Sequence, residues 1–219
     1  MKGSAPTRPA AVVFDCDGVL VDSEPHSVAS WLEVLARHGH PGTAADIAAC
    51  VGLGYGPTRD TLARLAPLPD PAELWPELLE ALSASYRRGL VRFADAIAAL
   101  EACERAGIAV AVASASPRLR LDLTLASAGL AARFPVSVSG DEVAHPKPAP
   151  DVYLRTAALL GVDPKDCVAI EDTPIGARAG VAARMKTVAV VRGHVVGAAL
   201  AETGAAVVDA ITLEALGLE

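Results

Sequence analysis

Four short strand-like runs, residues 10–14, 108–113, 136–139 and 168–170, lead directly or through the following loop into polar groups, and helical stretches fill most of the gaps between them. Alternation of this kind belongs to a parallel sheet with helices on its faces. The expected fold class is therefore α/β, a doubly wound parallel sheet, with the polar groups gathered along the carboxyl edge where open α/β sheets place their chemistry.

The first run ends in Phe14-Asp15-Cys16-Asp17-Gly18. Burying a carboxylate without a partner costs several kcal/mol, so Asp15 and Asp17 are expected beyond the last paired residue of the strand and beside a cation. Taken alone, Asp-x-Asp-Gly also describes an ordinary acidic turn. The other runs narrow the choice. Ser114 follows the second, Lys147 sits in the loop His145-Pro146-Lys147-Pro148-Ala149-Pro150 after the third, and Glu171-Asp172 follow the fourth.

Spacing divides the 219-residue chain. A plain crossover between parallel strands needs one helix and about 30 residues in all, yet the first two runs are separated by most of a small domain. Helical periodicity at residues 27–38, 58–65 and 72–90, followed by a helix at 94–106 that returns to the sheet, predicts an inserted α-helical cap at 24–91 on a core formed by 1–23 and 92–219. Pro67-Leu68-Pro69-Asp70-Pro71 reads as a stiff loop inside the cap, and Gly52-Leu53-Gly54-Tyr55-Gly56 as a cap loop facing the cleft.

In order and together, Phe14-Asp15-Cys16-Asp17-Gly18-Val19-Leu20-Val21-Asp22-Ser23-Glu24, Ala113-Ser114-Ala115-Ser116, Lys147-Pro148-Ala149-Pro150-Asp151 and Ile170-Glu171-Asp172-Thr173-Pro174-Ile175-Gly176-Ala177 resemble the four motifs of the haloacid dehalogenase superfamily. The branch they are most similar to contains the small sugar-phosphate phosphatases and β-phosphoglucomutases. The resemblance implies a Rossmann-like core and a Mg²⁺-dependent phosphoric monoester hydrolase that forms an aspartyl-phosphate. It implies Asp15 as nucleophile and Asp17 as general acid and base. Ser114, the Ala115 amide and Lys147 would bind the phosphoryl group. Asp15, the backbone carbonyl of Asp17, Asp172 and, directly or through water, Glu171 would hold the metal. Glu171-Asp172 at a helix start also fits helix-dipole and capping chemistry, and Ser114 a helix cap.

The substrate expected on this reading is a small phosphorylated metabolite, a sugar or polyol phosphate, with Arg59 of the cap as a candidate contact to the leaving group. A phosphomutase is the alternative, and a member that binds a ligand without catalysis the third. Against the mutase, Ser27 stands where the β-phosphoglucomutases carry a histidine, His26 comes one residue early, and the cap contains no lysine. A metal-independent dehalogenase fits poorly beside Asp17 and the complete Glu171-Asp172 pair.

Composition excludes other classes. A net charge of -7 with no basic cluster argues against nucleic acid. No apolar run is long enough to span a bilayer and residues 1–9 lack the apolar segment of a secretory signal, so a cytoplasmic protein without membrane contact is expected. A monomer is the expected state, with a homodimer as the alternative. Cys16, Cys50, Cys103 and Cys167 lack metal-ligand spacing and read as buried thiols, and His26, His38, His40, His145 and His194 show no ligand spacing either.

Overall fold

Each apolar run becomes a strand in the computed structural model, which describes residues 8–50, 52–193 and 197–218. His194 lies outside the described residues. The strands are β1 (Ala11–Phe14), β2 (Val21–Asp22), β3 (Val91–Arg92), β4 (Ala109–Ala113), β5 (Val136–Val138), β6 (Cys167–Glu171), β7 (Lys186–Val190) and β8 (Ala206–Val208). Six of them form one sheet in the order β5-β4-β1-β6-β7-β8, and every pairing in it is parallel. β1 sits in the middle, its Phe14 level with Val112 of β4 on one side and Ile170 of β6 on the other. The chain winds outward from β1 in one direction through β4 and β5, then returns to build β6, β7 and β8 on the other side. The strand order therefore reverses at β1, which is where such sheets open a crevice at their carboxyl ends.

Side-chain alternation explains why β1 is wholly apolar. Val12 and Phe14 enter one buried cluster with Val110, Val112, Val168 and Ile170, whereas Ala11 and Val13 enter a second with Ala113, Cys167 and Ala169. A strand covered on both faces has no solvent side on which a polar residue is tolerated. On the alanine-rich face the helices come close: a Cβ added to Gly180 would lie 3.2 Å from the Cβ of Ala169.

The connecting helices in the sheet region are α5 (Ala94–Arg105), α6 (Arg118–Ser127), α7 (Asp151–Leu160), α8 (Pro174–Ala182), α9 (Gly197–Ala201) and α10 (Leu213–Leu216), and four earlier ones, α1 (Glu24–Arg37), α2 (Ala44–Ala48), α3 (Tyr55–Ala63) and α4 (Pro71–Tyr86), lie between β2 and β3. These four share an apolar cluster of their own, built from Trp31, Val34, Leu35, Ile47, Leu62, Leu74 and Leu78 among others. The chain leaves for them at β2 and comes back at β3, and the two strands pair antiparallel, Val21 with Arg92 and Asp22 with Val91. Periodicity placed α1 three residues late and ran α4 four residues too far, because the first turn carries Glu24 and Pro25 rather than apolar residues and the last turn gives way to Arg87, Arg88 and Gly89. The short α2, fixed by a Thr43–Asp46 capping box, was not expected. All four cysteines are free and buried. Among the described residues no helix is long and apolar enough to cross a membrane.

Candidate active site

Asp15 is the first residue past β1, yet its amide still donates to the Ile170 carbonyl at 2.9 Å, so the sheet itself fixes the carboxylate at the carboxyl edge. The side chain is 6 % exposed and its Oδ1 accepts from Lys147 Nζ at 2.6 Å. Lys147 arrives on the loop before α7 and also donates to Glu171 Oε1 at 2.6 Å and to the Ala113 carbonyl at 3.0 Å. A single ammonium thus ties the ends of β1, β4 and β6 together. The two flanking carboxylates push its pKa up despite its burial, so it stays charged.

Glu171, the last residue of β6, accepts from four donors. Besides Lys147, the Tyr153 hydroxyl of α7 donates to its Oε1 at 2.7 Å, while the Asp172 amide and the Thr173 hydroxyl donate to Oε2 at 3.2 and 3.3 Å. Gly176 of α8 leaves the room: a Cβ there would sit 1.9 Å from Glu171 Oε1. The N-cap of α8 is Thr173, whose side chain accepts from the Gly176 amide, so Glu171 and Asp172 are not its caps.

Asp15, Glu171 and Asp172 each offer an oxygen within 4.8 Å of the others. Three carboxylates meet one ammonium here. Burial pushes Asp15 up to about 8 against the pull of Lys147, and burial with the charge of Glu171 pushes Asp172 well above the usual carboxylate range. Asp172 Oδ1 is buried with no hydrogen-bond partner. Its other oxygen faces Gly18, where a Cβ would come within 2.0 Å and where φ is +83°, so two independent reasons require glycine. The carbonyl of Asp17 accepts no hydrogen bond from the described residues. An uncompensated cluster of hard oxygens with an orphaned acceptor fits a small divalent cation.

Asp17 itself faces a different set. Its carboxylate accepts from the hydroxyl of Ser23, from that of Ser116 at 2.8 Å and from Arg120 of α6 at 3.4 Å. Burial pushes its pKa up, but Arg120 and the two hydroxyls outweigh that and hold it below the ordinary carboxylate value. Neighbouring aspartates two residues apart are thereby driven in opposite directions by their different partners.

Ser114 is 1 % exposed; its Oγ accepts from the Ser116 amide at 3.0 Å, and Pro117 rather than Ser114 occupies the N-cap of α6. Ser114 and Ala115 wall a cavity together with Asp15, Asp17, Lys147 and Asp172. The opposite wall comes from α1 to α4 and includes Glu24, Trp31, Gly52, Gly54 and Tyr55. Close approach explains the glycines in that wall: a Cβ on Gly54 would meet the Ala115 carbonyl at 3.1 Å, and one on Gly52 the Thr173 side chain at 3.2 Å. Arg59 is placed elsewhere. Its guanidinium donates to the Pro69 carbonyl at 3.0 Å and lies 3.5 Å from Asp60, outside the residues that line the cavity.

The sequence reading missed Ser23, Ser116, Arg120 and Tyr153. Ser23 and Ser116 lay inside quoted motifs with hydroxyls of the right type, whereas Arg120 and Tyr153 reach the site only through the winding of α6 and α7 and left no local signal.

The chain is similar to known proteins over most of its length. The family described as Haloacid dehalogenase-like hydrolase matches residues 12–190. The chain is 34 % identical over 186 residues to the fructose-1-phosphate phosphatase YqaB of Escherichia coli K12, covering 83 % of this chain and 96 % of that protein. Hexitol phosphatase B of the same organism is 34 % identical over 195 residues, 85 % of this chain and 86 % of its own length. A longer Arabidopsis thaliana relative, 33 % identical, is matched over 18 % of its length. Among solved structures, a haloacid dehalogenase family hydrolase of Deinococcus radiodurans R1 with bound phosphate and sodium superposes with a TM-score of 0.71 at 32 % identity, covering 93 % of this chain and 91 % of that one. A family match over most of the sheet, close relatives of nearly equal length and the same fold lead to one conclusion: the chain belongs to the haloacid dehalogenase-like hydrolases.

Proposed function

We propose that the protein is a phosphatase that hydrolyses a small phosphorylated metabolite, a sugar or polyol phosphate, through an aspartyl-phosphate on Asp15. The observation that carries this reading is the convergence of Asp15, Asp17, Ser114, Lys147 and Asp172 on one cavity roofed by α1 to α4. Relatives named as fructose-1-phosphate and hexitol phosphatases support the substrate class.

In this mechanism the Asp15 carboxylate attacks phosphorus and the ester oxygen departs with a proton from Asp17. The incoming phosphate dianion raises the proton affinity of Asp17, offsetting the pull of Arg120. Lys147 balances the charge that Asp15 and the phosphoryl oxygens bring together, while Glu171 and Tyr153 keep the ammonium in place. Ser114 and the Ala115 amide are suited to donate to phosphoryl oxygens. Asp17 then takes a proton from the water that hydrolyses the aspartyl-phosphate. Mg²⁺ is the group that the donor set suits, held by Asp15, Asp172 and the Asp17 carbonyl, with Glu171 supporting from behind. When bound it draws charge off the phosphoryl group and lets two anions approach. The helices at 24–91 act as a cap on a core of 1–23 and 92–219, excluding water while the ester is cleaved.

Hydrolysis is favoured over phosphoryl return to a sugar because no described lysine or arginine of α1 to α4 lines the cavity to hold a second phosphate. The test is phosphate release from fructose 1-phosphate with Mg²⁺ and with EDTA, alongside Asp15→Asn. Release should require the metal and fall by at least about four orders of magnitude in the variant. Retention of a tenth of the activity in Asp15→Asn would refute the covalent role. With β-glucose 1-phosphate and a trace of the 1,6-bisphosphate, rapid formation of glucose 6-phosphate without phosphate release would assign a mutase instead.

A further inference from the structure

Asp17 is held from three elements. Its Oδ1 accepts from the Ser23 hydroxyl just before α1 and from Arg120 Nη2 of α6 at 3.4 Å, and its Oδ2 accepts from the Ser116 hydroxyl of the β4–α6 loop at 2.8 Å. Ser23 stands at the N-cap of α1, yet its hydroxyl goes to Asp17 and caps no helix amide. A carboxylate has about four acceptor positions, so these donors among the described residues leave one open, on Oδ2. Asp17 presents it in the cavity that Asp15 also lines.

The donors are not equivalent. A serine hydroxyl can donate or accept, so Ser23 and Ser116 tolerate Asp17 with or without a proton, whereas a guanidinium only donates and matches the carboxylate alone. Arg120 is also poorly placed to add stability. Its side chain is 15 % exposed, its Nε is buried without a hydrogen-bond partner among the described residues, and its ion pair with Asp17 is longer than a good charge-assisted bond. An under-paired guanidinium is costly to bury, so its place beside the cavity needs another reason. The backbone that carries it is fixed: Thr124 donates to the Arg120 carbonyl at 2.8 Å and meets the Tyr86 hydroxyl of α4 at 3.2 Å.

Once the ester oxygen has left with a proton from Asp17, Asp17 is a carboxylate by necessity for as long as the aspartyl-phosphate lives. We propose that Arg120 is the positioning residue of the second half of the reaction: it holds the Asp17 carboxylate with its open Oδ2 lone pair toward the hydrolytic water, and so sets the lifetime of the aspartyl-phosphate. The inference rests on the phosphatase reading. In that step the water oxygen bonds to phosphorus, and the bond from phosphorus to the Asp15 oxygen breaks with its electron pair returning to Asp15. One water proton passes to Asp17 Oδ2, so the products are inorganic phosphate, ionised Asp15 and protonated Asp17. Cleavage of an ester with a good leaving group needs no proton from Asp17 and does not depend on this arrangement.

Rapid mixing with p-nitrophenyl phosphate and Mg²⁺ reads the two halves separately. Release of p-nitrophenolate follows formation of the aspartyl-phosphate, and acid quenching with intact-protein mass spectrometry measures the fraction of enzyme phosphorylated. Arg120→Met keeps the length of the stem and removes the donor. It should lower kcat by at least about tenfold while kcat/KM changes by less than about threefold, with most of the enzyme phosphorylated in the steady state. Arg120→Lys keeps one charged donor, which is all the observed contact uses, and should recover kcat by at least about threefold over Arg120→Met. A role in binding the phosphoryl group, or a purely structural one, would lower kcat/KM together with kcat and leave the enzyme unphosphorylated. That result overturns the inference alone, as does a wild-type kcat in Arg120→Met or an Arg120→Lys enzyme no faster than Arg120→Met. Wild-type protein that releases no phosphate from p-nitrophenyl phosphate or from fructose 1-phosphate would instead overturn the phosphatase reading on which it rests.

Discussion

Gly176→Ala reverses the sign that helix propensity assigns to it. Gly176 lies in the first turn of α8 with an ordinary right-handed conformation, so alanine alone would add up to about 1 kcal/mol of stability. The new methyl, however, would fall 1.9 Å from Oε1, 2.1 Å from Cδ and 2.2 Å from Oε2 of Glu171, which leaves the carboxylate no room in its present place. Glu171 is 1 % exposed and must swing away from the Lys147 ammonium and the Tyr153 hydroxyl, at 2.6 and 2.7 Å. Hydrogen bonds to a charged group contribute about 1.5–3 kcal/mol each, so losing two costs about 3–6 kcal/mol and the net change is a destabilisation of about 2–5 kcal/mol. For a chain of this size that lowers the melting temperature by about 4–20 °C. Urea unfolding followed by circular dichroism measures the free energy, and phosphate release measures the consequence for Lys147, expected as a loss of at least about tenfold. A variant as stable as the wild type with full activity would refute the assignment of Glu171 as the buried anchor of Lys147.

Removing a metal ligand and removing the acid-base group should have separable effects. Asp172→Ala should weaken Mg²⁺ at least about tenfold in a calorimetric titration, whereas Asp17→Asn, which keeps its backbone carbonyl, should bind Mg²⁺ nearly normally while losing turnover; equal loss of affinity in both would remove the distinction. Asp95 in the first turn of α5 ties that helix to the C-terminal part of the chain, accepting from the Ile211 amide at 2.9 Å and from Arg192 at 2.6 Å, and also from the Ala96 amide at 2.9 Å. Burial pushes its pKa up, but these donors outweigh it and hold the carboxyl below its ordinary value of 3.8. A depressed folded-state pKa contributes stability that is complete above the unfolded value and is lost as pH falls through the folded one. Asp95→Asn should therefore cost about 1–3 kcal/mol at pH 7, and the gap from the wild type should close in acid below about pH 4; a gap that persists there would show that shape rather than charge matters.

What the sequence determined by itself is the edge of the sheet. The apolar runs at 10–14 and 168–170 read as buried strands, and the polar residues that follow such runs fall at their carboxyl ends, so Asp15, Asp17, Ser114, Lys147, Glu171 and Asp172 were legible as one site before any coordinate. The outer strands β7 and β8 were not read, although β7 is buried from Thr187 to Val190 and parallel to β6, because no motif residue follows either of them. The two-residue β2 and β3 are invisible to periodicity, since a pair that short is stabilised by what it joins and not by its own pattern. Only the tertiary structure decided which groups face which. Arg120 meets Asp17 across 103 residues and Tyr153 meets Glu171 because α6 and α7 pack in one way on opposite faces of the sheet, a fact with no local trace. Arg59 shows the converse: a basic residue beside the cap loop suggested a substrate contact, but the Pro69 carbonyl needed a donor and took its guanidinium. Local pattern fixes where the backbone delivers a side chain, and the competition among buried donors and acceptors fixes what that side chain touches.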